Sequence, residues 1–125
     1  MKKELSDVQM AVMRVFWARG EATVADVHAT LEEAHGFAPT TVATLIKRLE
    51  KYGFLDHRKE GRTFVYRPIV SESEIQQSMV SRLINRIFRG KSSALVAHLL
   101  RDSEIADDEL DEIQSLIDAH KESEE

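Results

Sequence analysis

The chain of 125 residues contains no cysteine. That absence excludes a disulfide framework, a thiolate metal site, a thiol nucleophile and redox sensing by cysteine. Long apolar runs are missing too, and no segment approaches the roughly 20 apolar residues that a membrane span requires. The lysines near the N-terminus lead into no apolar segment of the kind a secretory signal needs. The expectation is a cytoplasmic protein with no membrane insertion.

Catalytic and ligand-binding patterns are equally scarce. His28, His35, His57, His98 and His120 form neither an HExxH motif nor any pair four residues apart, so no metal site is expected. Asp107, Asp108, Glu109, Asp111 and Glu112 lack the glycine and the alternating spacing of a calcium loop and read as a solvated helix start. Gly90 to Ser93 lacks the earlier glycine and the preceding strand of a phosphate loop; a helix break followed by an N-cap explains it. Phe16 and Trp17 read as core rather than as a ligand stack. With no nucleophile beside a base, neither enzymatic activity nor a cofactor is expected.

What is present is an uneven charge. Residues 1–70 carry 11 Lys and Arg against 9 Asp and Glu, whereas residues 71–125 carry 6 against 13. The net charge of −5 therefore covers two unlike parts, read as domains 1–70 and 71–125. Between Thr40 and Arg67 the basic residues Lys47, Arg48, Lys51, Arg58, Lys59, Arg62 and Arg67 face only Glu50, Asp56 and Glu60. A phosphate backbone would meet that local surplus.

With only five glycines and two prolines, breaks are few and each can be placed. Ser6 with Gln9 makes a capping box, and Val8, Val12, Val15 and Phe16 recur at helical spacing up to Gly20, which predicts a helix over Asp7 to Arg19. Thr23 with Asp26 opens a second, short helix carrying Val24, Val27 and Leu31 and breaking at His35 and Gly36. Pro39 suits the first turn of a third, whose Val42, Leu45, Ile46 and Leu49 form a core stripe ending near Gly53. The period then changes. Phe54 to Arg58 and Thr63 to Arg67 read as a β-hairpin with Gly61 at its tip, closed by Pro68. Ser71 with Glu74 caps a long helix carrying Ile75, Met79, Leu83, Ile87 and Phe88 that stops near Gly90. Ser93 to Leu100 and Asp108 to His120 are two further helices, and Lys121 to Glu125 read as frayed.

The fold class follows: mainly α with a small β-hairpin wing, an N-terminal winged helix-turn-helix followed by a helical C-terminal dimerisation region. In a winged helix the third helix enters the major groove and the hairpin touches the neighbouring backbone. At about 100° per residue, Thr40, Thr44, Lys47 and Lys51 lie opposite the apolar stripe, flanked by Thr41 and Arg48, with Pro39 at the helix start. Thr41, Thr44 and Arg48 are expected to reach base edges, and Lys47, Lys51, Lys59 and Arg62 to contact phosphates. The stripe Ile75, Met79, Leu83, Ile87 and Phe88, joined by Leu110, Ile113, Leu116 and Ile117, is expected to be the seam of a homodimer.

The ordered run Pro39, Thr40, Thr41, Val42, Thr44, Leu45, Arg48 and Leu49, then Gly53, Gly61, Arg62, Phe64, Tyr66 and Pro68, resembles the penicillinase repressor family. So do Phe88, Gly90, Ser92, Leu95, Val96, Glu109 and Leu110, which extend the likeness over nearly the whole chain. Methicillin-resistance and copper-responsive repressors are relatives in that family. The resemblance implies a homodimeric repressor that binds a dyad-symmetric operator in double-stranded DNA and is released on a signal. The chain lacks the paired cysteines of the copper-responsive branch, which excludes copper sensing through that device. In the β-lactam-responsive branch a membrane sensor-protease pathway leads to cleavage at an Asn-Phe bond, and His98 and Leu99 occupy the matching positions here. The implied partner is such a sensor-protease or another inducing protease, acting between Gly90 and Ser103. The competing readings are a winged-helix adaptor that binds protein, against which the basic third-helix face argues, and a regulator sensing a small ligand between its domains.

Overall fold

The computed structural model describes residues 4–102 and 104–124. Six helices and a hairpin follow in the order α1 Asp7–Arg19, α2 Val24–His35, α3 Pro39–Lys51, β1 Leu55–Glu60, β2 Thr63–Pro68, α4 Glu72–Ile87, α5 Ser92–Asp102 and α6 Asp107–Ser123. They form two compact units, Met1–Met79 and Val80–Glu125, and the division falls inside α4.

The helix starts are local chemistry. Ser6 Oγ accepts from the Gln9 amide at 3.2 Å while Gln9 Oε1 accepts from the Ser6 amide at 3.0 Å. Thr23 and Asp26 exchange the same pair of bonds at the head of α2, and Ser71 Oγ accepts from the Glu74 amide at 3.0 Å ahead of α4. Each satisfies donors that the first helical turn leaves without intrahelical partners. α3 has no side-chain cap; Pro39 stands at its first position instead, where its missing N–H costs nothing.

In the first unit, α1, α2 and α3 pack around Val12, Met13, Phe16, Val27, Val42, Ile46 and Leu49, and Phe54 and Leu55 close the core from the entry to the hairpin. Leu45, expected in the α3 core stripe, is only half buried at its edge. The hairpin pairs Leu55 with Pro68 through Glu60 with Thr63, leaving Gly61 and Arg62 as a two-residue turn with Gly61 at φ 62°. That backbone suits a residue without a Cβ. Both strands run one or two residues beyond the expected ends.

One pairing carries no sequence signal. Ala22, between α1 and α2, forms an antiparallel bridge to Tyr66, with amide and carbonyl exchanging bonds of 2.9 Å in both directions. The base of the wing is thereby fixed to the helices. Trp17 on α1 adds a second anchor, its indole N–H donating to the Val70 carbonyl at 2.9 Å. This fits the expectation of a core aromatic, with its one polar atom satisfied.

Beyond Met79 the second unit consists of the end of α4, α5 and α6. α4 stops where Arg89 and Gly90 both take positive φ, 54° and 81°. α5 and α6 are each slightly longer than expected, and Lys121 to Ser123 continue α6 rather than fray, with His120 and Glu124 paired at 3.4 Å. Glu125 lies outside the described residues. No described residue of this unit is buried.

Candidate nucleic-acid interface

Packing decides which face α3 shows. Val42, Ile46 and Leu49 are fully buried, so Pro39, Thr40, Thr41, Thr44, Lys47, Arg48 and Lys51 are all turned to solvent. Thr40, Thr41, Thr44, Leu45 and Arg48 line a shallow recess of about 280 Å³ along that face. The Thr44 hydroxyl donates to the Thr40 carbonyl at 3.0 Å. Its proton is committed to its own helix, and Thr44 offers a partner its methyl group and a spare lone pair.

The wing supplies the second half. Lys59 and Arg62 are exposed on either side of the Gly61 turn. Arg62 also lines a concavity of about 340 Å³ with Lys47 of α3, Thr23, Val24 and Ala25 at the head of α2, and Thr63, Phe64 and Tyr66 of β2. Two cations read separately from the sequence are thus brought to one recess. Phe64, 42% exposed, is the member of this recess that charge and periodicity arguments passed over. An aromatic on a strand reads as core, and only the structure shows that Phe64 stays exposed while Tyr66, two residues on along β2, is buried.

Electrostatics sorts the cations. Arg58 pairs with Glu21 and, at 3.0 Å, with Glu60. These bonds raise the guanidinium pKa, while the hydrogen bond from Arg58 holds the Glu21 carboxyl below its ordinary value against a small opposing effect of burial. Arg67 pairs with Asp56 at 3.4 Å. Among the described residues, Lys47, Arg48, Lys51, Lys59 and Arg62 have no carboxylate partner. The local surplus seen in the sequence therefore resolves into two internally satisfied arginines and five free cations on α3 and the wing. His57 of β1 joins the wing to α3 through Glu50 and lies against Phe64 and Tyr66, with ring centroids 4.6 and 5.3 Å away. Burial raises the Tyr66 phenol, with a smaller contribution from the Glu50 charge.

The remaining site residues fall in two groups. Ile75 is buried in the core of the first unit and Met79 packs against it, because the start of α4 covers the helices of its own winged helix. Leu83, Ile87, Leu110, Leu116 and Ile117 are exposed, and Phe88 and Ile113 are half buried. His98 and Leu99 lie within α5, where His98 pairs with Asp102 at 3.3 Å and its ring sits 6.0 Å from that of Phe88. Ser103, the end of the expected cleavage segment, lies outside the described residues. No group of three His, Asp or Glu among the described residues is placed to hold a metal ion, and no helix is long and apolar enough to cross a membrane.

Three helices, a wing and a face of free cations define a winged-helix DNA-binding protein of the transcriptional repressor class. The model of the family described as Penicillinase repressor matches residues 5–119, and the chain belongs to that family, one of repressors rather than enzymes. It is 32% identical to the penicillinase repressor of Bacillus licheniformis over 123 residues, 97% of this chain and 96% of that one. The DNA-binding domain of the repressor BlaI matches with a TM-score of 0.53 and 39% identity over 59% of this chain and 93% of that one. Bacillus licheniformis BlaI, solved as a monomeric form in complex with the blaP half-operator, matches with a TM-score of 0.50, 39% identity and the same two coverages.

Proposed function

We propose that this protein represses transcription by binding a dyad-symmetric operator as a homodimer, with α3 in the major groove and the wing on the flanking backbone. The observation that carries this reading is the set of five free cations, Lys47, Arg48, Lys51, Lys59 and Arg62, on the two elements that a winged helix presents to DNA. Thr41, Thr44 and Arg48 read bases: Arg48 can fork onto a guanine edge, and the methyl group of the exposed Thr44 suits a thymine methyl. Pro39 and Thr40 set the approach of the helix start, and the four remaining cations neutralise phosphates. The half-operator complex of the Bacillus licheniformis relative supports DNA as the partner.

Dimerisation is assigned to Leu83, Ile87, Phe88, Leu110, Ile113, Leu116 and Ile117. A unit of this size with no buried residue among those described has no core of its own, and a second copy is the simplest cover for its apolar face. Ile75 and Met79 act one step back, holding α4 on the winged helix. The protein works in the cytoplasm and is released by proteolysis in the C-terminal part, through a membrane sensor-protease or another inducing protease. Proteases take extended substrate, so cutting between His98 and Leu99 requires α5 to open first.

The test is a salt titration with two labelled duplexes, one carrying the promoter upstream of the protein's own gene and one its scrambled sequence. Preference for the promoter is expected at every salt concentration, with affinity falling linearly on a log scale for both. Equal affinity for the two duplexes would remove the base-reading role of α3, and no binding to either would remove the DNA partner.

A further inference from the structure

α3 and the wing can grip DNA together only if their relative position is held. The hairpin is anchored at its base by Ala22 and by the buried Val65 and Tyr66. Level with Tyr66, a side-chain link reaches across to α3: Nδ1 of His57 on β1 is hydrogen-bonded to Oε2 of Glu50 in the last turn of α3. His57 stands opposite Tyr66 in the hairpin register, and Phe64 and Tyr66 fix the plane of its ring. Both partners are about a third exposed, 34% and 29%, so protons reach them freely.

Several charged groups surround this link. On β1, Asp56 accepts from the His57 amide at 2.8 Å and pairs with Arg67 of β2, while Arg58 is committed to Glu21 and Glu60. On β2 the other titratable group is the Tyr66 phenol. On α3, Lys47 and Lys51 flank Glu50 in sequence but are exposed and free of carboxylate partners.

We infer that His57 and Glu50 are positioning residues for DNA binding, forming a protonation-sensitive tie that holds the wing against the recognition helix. With the imidazole protonated, the bond is charge-assisted, and charge-assisted bonds are about twice as strong as neutral ones. The pair then also cancels the one negative charge that α3 would otherwise carry toward the phosphates. With the ring neutral the bond is no longer charge-assisted, so the tie weakens and the Glu50 charge is uncovered. Both changes act in one direction, and operator affinity falls as pH rises.

This inference rests on the DNA-binding reading above, and the experiment separates the two. Binding to the promoter duplex is measured at constant ionic strength from pH 5.5 to 8.5 for the wild type, His57→Gln and Glu50→Gln, with a salt slope at each end. Wild-type affinity is expected to fall about fivefold or more across the range, the usual lower size of a coupling between two sites, with a shallower salt slope at high pH. Both variants should give flat profiles. Glu50→Gln keeps the shape and an acceptor, so it remains informative if His57→Gln disturbs the hairpin. A wild-type profile that His57→Gln reproduces overturns the tie, as does a full pH dependence surviving in Glu50→Gln, since His57 would then act on DNA by its own charge. Wild-type protein that fails to bind the promoter duplex at any pH takes down the DNA-binding reading, and this inference with it.

Discussion

Every buried side chain among the described residues lies between Leu5 and Ile75, and from Val80 onward there is none. Both units are built of amphipathic helices with clear apolar stripes. In the first, three helices and a hairpin cover one another around Phe16, Ile46 and Phe54. In the second, Leu83, Ile87, Leu100 and Leu116 keep large parts of their surface in water. A stripe is thus a statement about what a helix needs, and only the surrounding layers say whether its own chain supplies it. One unit carries its stability internally; the other, on the reading above, takes it from a second copy.

The comparison breaks most directly at Phe16. It is fully buried, and Phe16→Ala should cost about 3–5 kcal/mol from the lost burial and the cavity left behind. The loss in urea denaturation should be the same at every protein concentration, because no partner contributes to that core. Leu116, 65% exposed, should behave in the opposite way. Leu116→Asp should weaken dimerisation by about a hundredfold, about 2.7 kcal/mol. Sedimentation equilibrium over nanomolar to micromolar concentrations checks this. An unchanged dimer constant would exclude Leu116 from the seam, and a stable wild-type monomer at micromolar concentration would exclude the seam altogether.

Much of the first unit could be read from local signals, since its boundaries are set by local chemistry. Ser6 with Gln9, Thr23 with Asp26, and Gly61 between two β-favouring runs each fix a backbone event within four residues. The division of α4 could not be read this way. Ile75, Met79, Leu83 and Ile87 form one continuous stripe in sequence, yet the first two serve the core of their own winged helix and the last two stay exposed. Periodicity records which face is apolar and nothing about what meets it. The same limit applies to the candidate site. Charge counting found all seven basic residues, but whether Arg58 meets a phosphate or Glu21 depends on a contact across 37 positions. The Ala22 bridge and the role of His57 are likewise tertiary, and a lone histidine on a strand gives no signal of its partner.

Within the first unit the comparison sharpens into base readout against phosphate attraction. Arg48→Ala should cost about 1–3 kcal/mol on the operator and relax preference at one base pair per half-site. Lys59→Ala and Arg62→Ala should weaken promoter and scrambled duplexes alike, lowering the salt slope by about 0.9 for each phosphate that is no longer neutralised. In a symmetric dimer each substitution acts twice, which doubles the measured effect. Equal losses of specific and non-specific binding in all three variants would mean that α3 does not read sequence.

The smallest expected effect concerns the head of α2, where the capping box borders the recess that Lys47 and Arg62 share. Thr23→Ala removes the side-chain oxygen that accepts from the Asp26 amide, and loss of such a cap costs about 1 kcal/mol. The reciprocal bond survives, because the amide of residue 23 still donates to the Asp26 carboxylate. That backbone bond is the largest cause of the lowered Asp26 pKa, followed by the Thr23 hydroxyl, with Arg19 contributing a weaker attraction from 3.5 Å. A lowered folded-state pKa means that the carboxylate contributes its stability in full above the ordinary carboxylate range, near about pH 4. The contribution is lost as pH falls through the lowered value. Wild type should therefore exceed Asp26→Asn in stability at neutral pH, and the gap should close on acidification below about pH 4. Thr23→Ala, keeping the main bond, should retain most of that acid-side dependence despite its lower stability at pH 7. Urea midpoints for the three proteins at pH 7, 4 and 3 separate the two contributions. A gap between wild type and Asp26→Asn that stays constant down to pH 3 would show that the Asp26 charge takes no part in holding the helix start.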